Sequence, residues 1–319
     1  MINVNAKGRI GIGIISAGKV GTALGSALRA QGHTIIGAYA RSADSVDRLE
    51  VMLPSVPALD FPQIVESSEL VLLAVPDDAL APLVQEIAQL GLWQPGQIVV
   101  HTAGHFGVNV LQPAAQAGAL CLAIHPAMTF TGTSLDVSRL QGCPFAITAA
   151  APYQAIGHAL VVEMGGTSVV IAEEDREIYH AALAHGANHL VTLVSQAMRM
   201  LASIGIENPG QYLQALTSAS LEGALSSGDA LLTGPVVRGD IGTIAGHLNV
   251  TEQLAAEVPE LADLDFTYRA LALVTANRAL GRRVLNMRQA EELSDLLQGN
   301  YDFAQFMESL SEADGSSTK

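Results

Sequence analysis

Residues 9–24, Arg-Ile-Gly-Ile-Gly-Ile-Ile-Ser-Ala-Gly-Lys-Val-Gly-Thr-Ala-Leu, constrain this chain more than any other stretch. Ile10, Ile12, Ile14 and Ile15 form a β-branched run suited to a fully buried strand of a parallel sheet. The chain then turns, and Val20, Ala23 and Leu24 give the next segment an apolar helical face. In a turn that binds a dinucleotide, three glycines have separate tasks. The first makes the tight turn, the second lets backbone approach a pyrophosphate, and the third lets helix pack on strand. Ser16, Gly18 and Gly21 occupy those places here. Ser16 departs from the pattern, because a side chain restricts the turn. Gly18 leaves the amides at the helix start open to an anion. The stretch implies nucleotide binding through Ser16, Ala17, Gly18, Lys19 and Val20.

Further strand signals follow at 34–39, 69–74, 97–102, 119–124, 144–149 and 167–172, alternating with helical ones such as 43–52, 77–90 and 153–164. Strands alternating with helices predict an α/β fold with a doubly wound parallel sheet, whose ligands bind outside the carboxyl ends of the strands. Pro76 stops the third strand, and Asp77 or Asp78 is expected to cap the next helix. Val75 and Pro76 in that loop, and Thr102 after the fourth strand, are therefore expected at the cofactor. From 175 to 201 there is no proline and the apolar residues recur at helical spacing, so one long helix opens an all-helical C-terminal domain. Its later segments, near 211–225, 241–257, 264–280 and 288–297, are separated by Gly and Pro. The expected organisation is a dinucleotide-binding domain over 1–173, a helical substrate and dimerisation domain over 174–310, and a polar, disordered tail over 311–319.

The second strand ends at Ala40-Arg41-Ser42, where cofactor choice is usually decided. A carboxylate there would accept hydrogen bonds from a ribose hydroxyl. Arg41 and Ser42 instead suit a 2′-phosphate, which favours NADP(H) over NAD(H). The competing reading makes Ser42 a helix cap and Arg41 a solvated charge.

Net charge is −15, with 7 basic and 10 acidic residues up to position 150 and 9 and 21 beyond it. Such a surface repels nucleic acid and anionic membranes, leaving a small-molecule substrate and a second copy of the chain as partners. No apolar run is long enough for a membrane span, and the chain enters its first strand too early for a signal peptide. With Cys121 and Cys143 the only cysteines, the expected location is the cytoplasm. Long apolar helices that need cover predict a homodimer.

Candidates for chemistry fall into three groups. His101 and His125 end the fourth and fifth strands, where both rings are expected to face the cofactor crevice. Cys121, His105 and these histidines offer no close ligand pair, so no metal site is expected. On the long helix, His185, Asn188 and His189 share a face. There a buried Asn188 carboxamide suits a substrate carbonyl, while His125 or His185 supplies a proton. The third group, Thr233-Gly-Pro-Val-Val-Arg-Gly-Asp240, combines Arg238, suited to a substrate carboxylate, with Asp240 at or near a helix N-cap.

With the phosphate turn, Ala74-Val-Pro-Asp-Asp78, His125-Pro126, Asn188-His189 and Gly234-Pro-Val-Val-Arg-Gly-Asp240, the chain resembles bacterial Rossmann-type reductases carrying a C-terminal helical domain of unknown function. More distantly it resembles ketopantoate reductase, hydroxyisobutyrate dehydrogenase, pyrroline-5-carboxylate reductase and the deazaflavin-dependent NADP reductases. The resemblance implies an NADPH-dependent reductase of a small carbonyl acid, ketopantoate being one substrate, or of an imine. A nucleotide-binding sensor without turnover is the alternative from another class. The ketopantoate and hydroxyisobutyrate enzymes use a lysine on the interdomain helix. Here the only lysines are Lys7, Lys19 and Lys319, and Ala184 stands four residues before Asn188. A proton must come from elsewhere.

Overall fold

Ile12, Ile14 and Ile15 have no solvent exposure in the first strand, β1 (Gly11–Ile15). Side chains on a strand alternate between faces, and here the alternation divides two cores. Ile12 and Ile14 belong to one apolar cluster with Leu24, Leu28, Leu49 and Leu160. Ile15 belongs to another with Ile64, Leu80, Val84 and Ile87. Each fully buried Ile or Leu contributes about 1.5–3 kcal/mol of transfer free energy, so these alternating rows fix the register. Gly13 fits the same logic, since a Cβ there would collide with Ile64 and Ser68.

The computed structural model describes residues 9–299. The remaining strands are β2 (Thr34–Tyr39), β3 (Leu70–Leu73), β4 (Ile98–His101), β5 (Leu120–Pro126), β6 (Pro144–Ala149) and β7 (Thr167–Val170), in the order β2-β1-β3-β4-β5-β6-β7. The helices between them are α1 (Lys19–Ala30), α2 (Ala43–Met52), α3 (Phe61–Ser67), α4 (Asp77–Gln89), α5 (Gln112–Gln116), α6 (Leu135–Arg139) and α7 (Gln154–Glu163). Residues of α1, α2 and α7 supply the first core and residues of α3, α4 and α5 the second, so the sheet is covered on both faces. One joint corrects the sequence expectation: β5 and β6 pair antiparallel, whereas every other neighbouring pair is parallel. The five-residue α6 in the connection is no full crossover helix, and the apolar content of β6 carries no sign of its direction.

The long helix is α8 (Arg176–Ser203), followed by α9 (Pro209–Ser227), α10 (Pro235–Arg238), α11 (Ile241–Glu257), α12 (Leu264–Gly281) and α13 (Met287–Gln298). The chain divides into two compact units between Ala187 and Asn188, inside α8. A break at 173–174 is not where the division falls, because the start of α8 is fastened to the sheet. Arg176 Nε donates to Thr148 Oγ1 at 2.7 Å, and its Nη2 to the carbonyls of Ala123 and Ala146, each at 3.2 Å. The second unit has its own core, including Val236, Ile244, Leu248, Ala276 and Leu293. The expected tail at 311–319 lies outside the described residues. None of the described helices is long and apolar enough to cross a membrane.

Candidate active site

The turn after β1 is shaped by its backbone. Ser16 has φ +87°, the left-handed region that favours glycine, so the side chain that departs from the glycine pattern sits in a glycine conformation. Ala17 is buried and its amide donates to the Tyr39 carbonyl at 2.8 Å, tying the turn to the end of β2. Gly18 is the N-cap of α1 and offers no side-chain cap, and no acidic residue stands in the first turn. The free amides there, with the positive end of the helix dipole, suit a phosphate. Gly21 has no room for a side chain: a Cβ would strike the Ser16 carbonyl oxygen.

Beside this turn lies a cleft of about 500 Å³ that takes in Ser16, Ala17, Gly18, Arg41, Ser42, Val75 and Pro76. All seven are expected cofactor residues. Ser42 does cap α2, in a reciprocal box with Ser45, and lines the cleft as well. The sequence reading missed Ser45 and Arg48, which complete this end of the cleft. Arg48 Nη1 donates to the Ala17 carbonyl at 3.4 Å, joining α2 to the phosphate turn. The signal was available in the i, i+3 spacing of Ser45 and Arg48 on one helix face. A loop supports the same corner. The buried Asp136 carboxylate accepts from the amides of Thr131 and Gly132 and from the Thr131 hydroxyl. Burial alone would raise its pKa, but these donors outweigh that and hold it below the ordinary value. The anchored Gly132 comes against the Lys19 stem and Arg48.

Other expectations are corrected. Lys19 and Val20 stand in the first turn of α1 but do not line the cleft, and Val20 packs on the first core. Thr102 follows the parity of Val100 and lies among Leu24, Leu72 and Ile124 beneath the sheet. Asp77 and Asp78 are first-turn residues of α4 rather than its cap, which is Pro76. His101 is fully buried. Its Nε2 donates to the Gly107 carbonyl at 2.7 Å and its Nδ1 accepts from the Ala103 amide at 3.2 Å. Burial lowers its pKa to about 4. It therefore braces the loop after β4 as a neutral ring.

His125 is the histidine that stays near the surface of the crevice. Its Nδ1 lies 2.8 Å from the Tyr179 hydroxyl, and the two rings meet edge to face at 5.6 Å between centroids. His180 lies 6.4 Å from His125 and 6.1 Å from His105 by ring centroid. Gly104 lets the loop pass close, since a Cβ there would come within 2.9 Å of His125 Nε2. Burial, then the Arg176 charge, then His180 push the His125 pKa down to about 4. Arg176 is the centre of this electrostatics. It is 1% exposed, its Nη1 has no hydrogen-bond partner, and its Cζ lies 5.8 Å from the centre of the Tyr179 ring. Burial raises the Tyr179 pKa, and the Arg176 charge opposes that rise. His105, Arg176, Tyr179 and His180 were not among the expected site residues, although a Tyr-His pair opening a long helix was visible.

The expected residues farther along divide differently. His185 lies in the first unit, and Asn188, Arg238 and Asp240 in the second. His185, Asn188 and Arg238 are exposed, so Asn188 is not the buried carboxamide expected. Asp240 is the N-cap of α11, accepting from the Thr243 amide at 3.1 Å and hydroxyl at 2.7 Å. Those two bonds, hydroxyl first, lower its pKa. No group of three or more His, Cys, Asp or Glu able to hold a metal ion occurs among the described residues.

Two family models match the sequence, a Rossmann-like domain over residues 3–126 and a domain of unknown function, DUF2520, over residues 143–275. No curated protein matches it. Among solved structures, a Bacteroides fragilis protein named as a candidate NADP oxidoreductase is similar, with TM-score 0.70 and 22% identity over 84% of this chain and 98% of that one. The 1-pyrroline-5-carboxylate reductase of Streptococcus pyogenes is similar with TM-score 0.54 and 18% identity, over 86% of this chain and 99% of its own. Plasmodium falciparum pyrroline carboxylate reductase, solved with NADP bound, gives TM-score 0.53 and 10% identity over 91% of this chain and 100% of that one. At these identities the likeness is one of fold.

Proposed function

From a chain that joins a Rossmann-like domain to a DUF2520 domain, we propose an NADP(H)-dependent reductase of a small carbonyl or imine compound. The observation that carries the reading is the cleft at the carboxyl ends of β1, β2 and β3. Its phosphate turn has no side-chain cap, and Arg41, Ser42, Ser45 and Arg48 gather at the end of β2. Two guanidinium groups and two hydroxyls recognise a 2′-phosphate, and the chain places no carboxylate between Tyr39 and Ser42 to take its place. The names of similar folds, an NADP oxidoreductase and pyrroline-5-carboxylate reductases, support the same class.

NADPH held in this cleft would supply the hydride. The chain's own part is to deliver the proton, and no lysine lies between Lys19 and Lys319 to do so. We assign that role to the Tyr179 hydroxyl. In donating its proton it becomes a phenolate, which accepts from His125 Nδ1–H and is stabilised by the nearby Arg176 charge. His125 serves this role as a neutral ring, the state that burial enforces. We assign the exposed Asn188 carboxamide and Arg238 guanidinium of the second unit to a substrate carbonyl and carboxylate. Asp240 is a helix cap, and His185 is held as an alternative proton source.

We read the protein as a cytoplasmic homodimer, supported by the free cysteines Cys121 and Cys143 and by the exposed leucines of the second unit. The test is consumption of NADPH with keto acids, ketopantoate among them, and with cyclic imino acids. Turnover of an imine alone favours the pyrroline-5-carboxylate type. Tight NADPH binding without turnover of any member replaces the enzyme reading with that of a sensor.

A further inference from the structure

One side of α4 also lines the cofactor cleft. Ala79, Pro82, Leu83 and Glu86 face it at i, i+3, i+4 and i+7, while Leu80, Val84 and Ile87 of the same helix turn into the second core. Pro82, inside the helix, gives up a backbone hydrogen bond and sets a rigid ring on that wall. Phe61, the first residue of α3, lines the cleft as well. Its ring meets Tyr39 edge to face, with 6.0 Å between centroids and 85° between planes, and both rings pack on the second core. Rings fixed in this way lose little freedom when a flat ligand comes against them.

Glu86 is the odd member of this apolar wall. Its carboxylate is exposed and makes no hydrogen bond or ion pair among the described residues, with Arg41 and Arg48 of the same cleft or with any other group. The ligand proposed for the cleft is polyanionic, its phosphates falling to the turn at Gly18 and to the two arginines. An unpaired carboxylate beside such a ligand repels it, unless the ligand brings a hydrogen-bond donor to that place. The adenine base of a dinucleotide carries one donor group, the 6-amino group on its edge, and its two faces are flat and suited to an apolar wall.

We infer that Glu86 reads the base: adenine lies against Phe61, Pro82 and Leu83, and its 6-amino group donates to the Glu86 carboxylate. The inference rests on the NADP(H) reading and adds to it a discrimination among purines. Hypoxanthine and guanine carry a carbonyl oxygen where adenine carries the amino group, and two acceptors facing one another repel. Recognition is thereby divided along the cleft. Backbone amides and guanidinium groups take the phosphates, and α4 takes the base.

The test is equilibrium binding of NADPH and of its 6-oxo analogue, in which hypoxanthine replaces adenine, to the full-length protein by fluorescence titration. The wild type should hold NADPH about tenfold more tightly than the analogue, as for a charge-assisted hydrogen bond at an exposed site. Glu86→Gln changes no packing, and its amide offers an acceptor to one base and a donor to the other, so the ratio should fall to about one. The preference for NADPH over NADH should survive in Glu86→Gln, because it belongs to Arg41. Phe61→Ala should weaken both ligands alike. Tight NADPH binding with no preference over the analogue in the wild type overturns the base reading and leaves the cofactor reading standing. A preference that persists in Glu86→Gln, or an equal gain in affinity for both ligands there, takes the role from Glu86. Failure of the wild type to bind either ligand overturns the cofactor reading, and this inference with it.

Discussion

Tyr179 and His125 meet hydroxyl to Nδ1 at 2.8 Å, linking the first turn of α8 to the carboxyl end of β5. If this pair delivers the proton, Tyr179→Phe keeps the ring and loses the donor. It should lower kcat by about a hundredfold or more, within the usual range for general acid catalysis, with NADPH affinity unchanged. Steady-state kinetics on the first active substrate of the panel decide it. Wild-type kcat in Tyr179→Phe removes Tyr179 from the proton path.

The proposed 2′-phosphate contact puts cofactor choice on Arg41 and Arg48, which line the end of the cleft. Arg41→Ala should cost about 1–3 kcal/mol of NADPH affinity, as for a charged hydrogen bond, and leave NADH nearly unaffected. Arg48→Ala should weaken both cofactors, since Arg48 also holds the Ala17 carbonyl of the phosphate turn. Fluorescence titration with each cofactor measures the split. Equal losses for NADPH and NADH in Arg41→Ala would remove the 2′-phosphate contact.

Stability should fall on acidification from neutral pH. His101 and His125 have folded pKa values lowered to about 4, against about 6.5 in an unfolded chain. Between those values the unfolded chain binds protons that the folded one refuses, so stability rises with pH across the window and is lost as pH falls through it. The buried His101 alone gives a slope approaching about 1.4 kcal/mol per pH unit. Urea midpoints at pH 7, 6 and 5 test this, and a flat profile would contradict it.

The strained turn gives a local test. Ser16 at φ +87° carries a left-handed cost of roughly 1–2 kcal/mol that glycine does not. Ser16→Gly should therefore be tolerated, with unchanged or higher melting temperature and cofactor affinity retained. Gly21→Ala drives a methyl into the Ser16 carbonyl and should damage both. The reverse order of these two variants in thermal melts would mean that the turn is not built this way.

In the second unit, Asn188→Ala should lower kcat by about a hundredfold and Arg238→Ala should chiefly raise KM. A polarising contact gains strength as charge develops, whereas a remote carboxylate contact serves ground and transition states alike. Asp240→Ala should instead lower thermal stability with kinetics intact, because it removes the cap on α11. Unchanged kinetics in the first two variants leave the proton pair of the first unit as the whole of the catalytic assignment.

What the sequence determined by itself is local. The isoleucines of β1, the phosphate turn, the Ser42 cap of α2 and the Asp240 cap of α11 follow from neighbouring residues, whose spacing sets backbone geometry. Thr102, expected at the cofactor, instead follows Val100 into the apolar side of the sheet. Tertiary structure decided what depends on distant chain segments meeting. It ran β6 antiparallel to β5, turned His101 inward to the Gly107 carbonyl, and brought His125 to Tyr179 over Arg176. It also left α9 without a core. Hydrogen-bond partners and burial at these places come from residues far away in the chain, and no periodicity or capping pattern encodes which of them will be there.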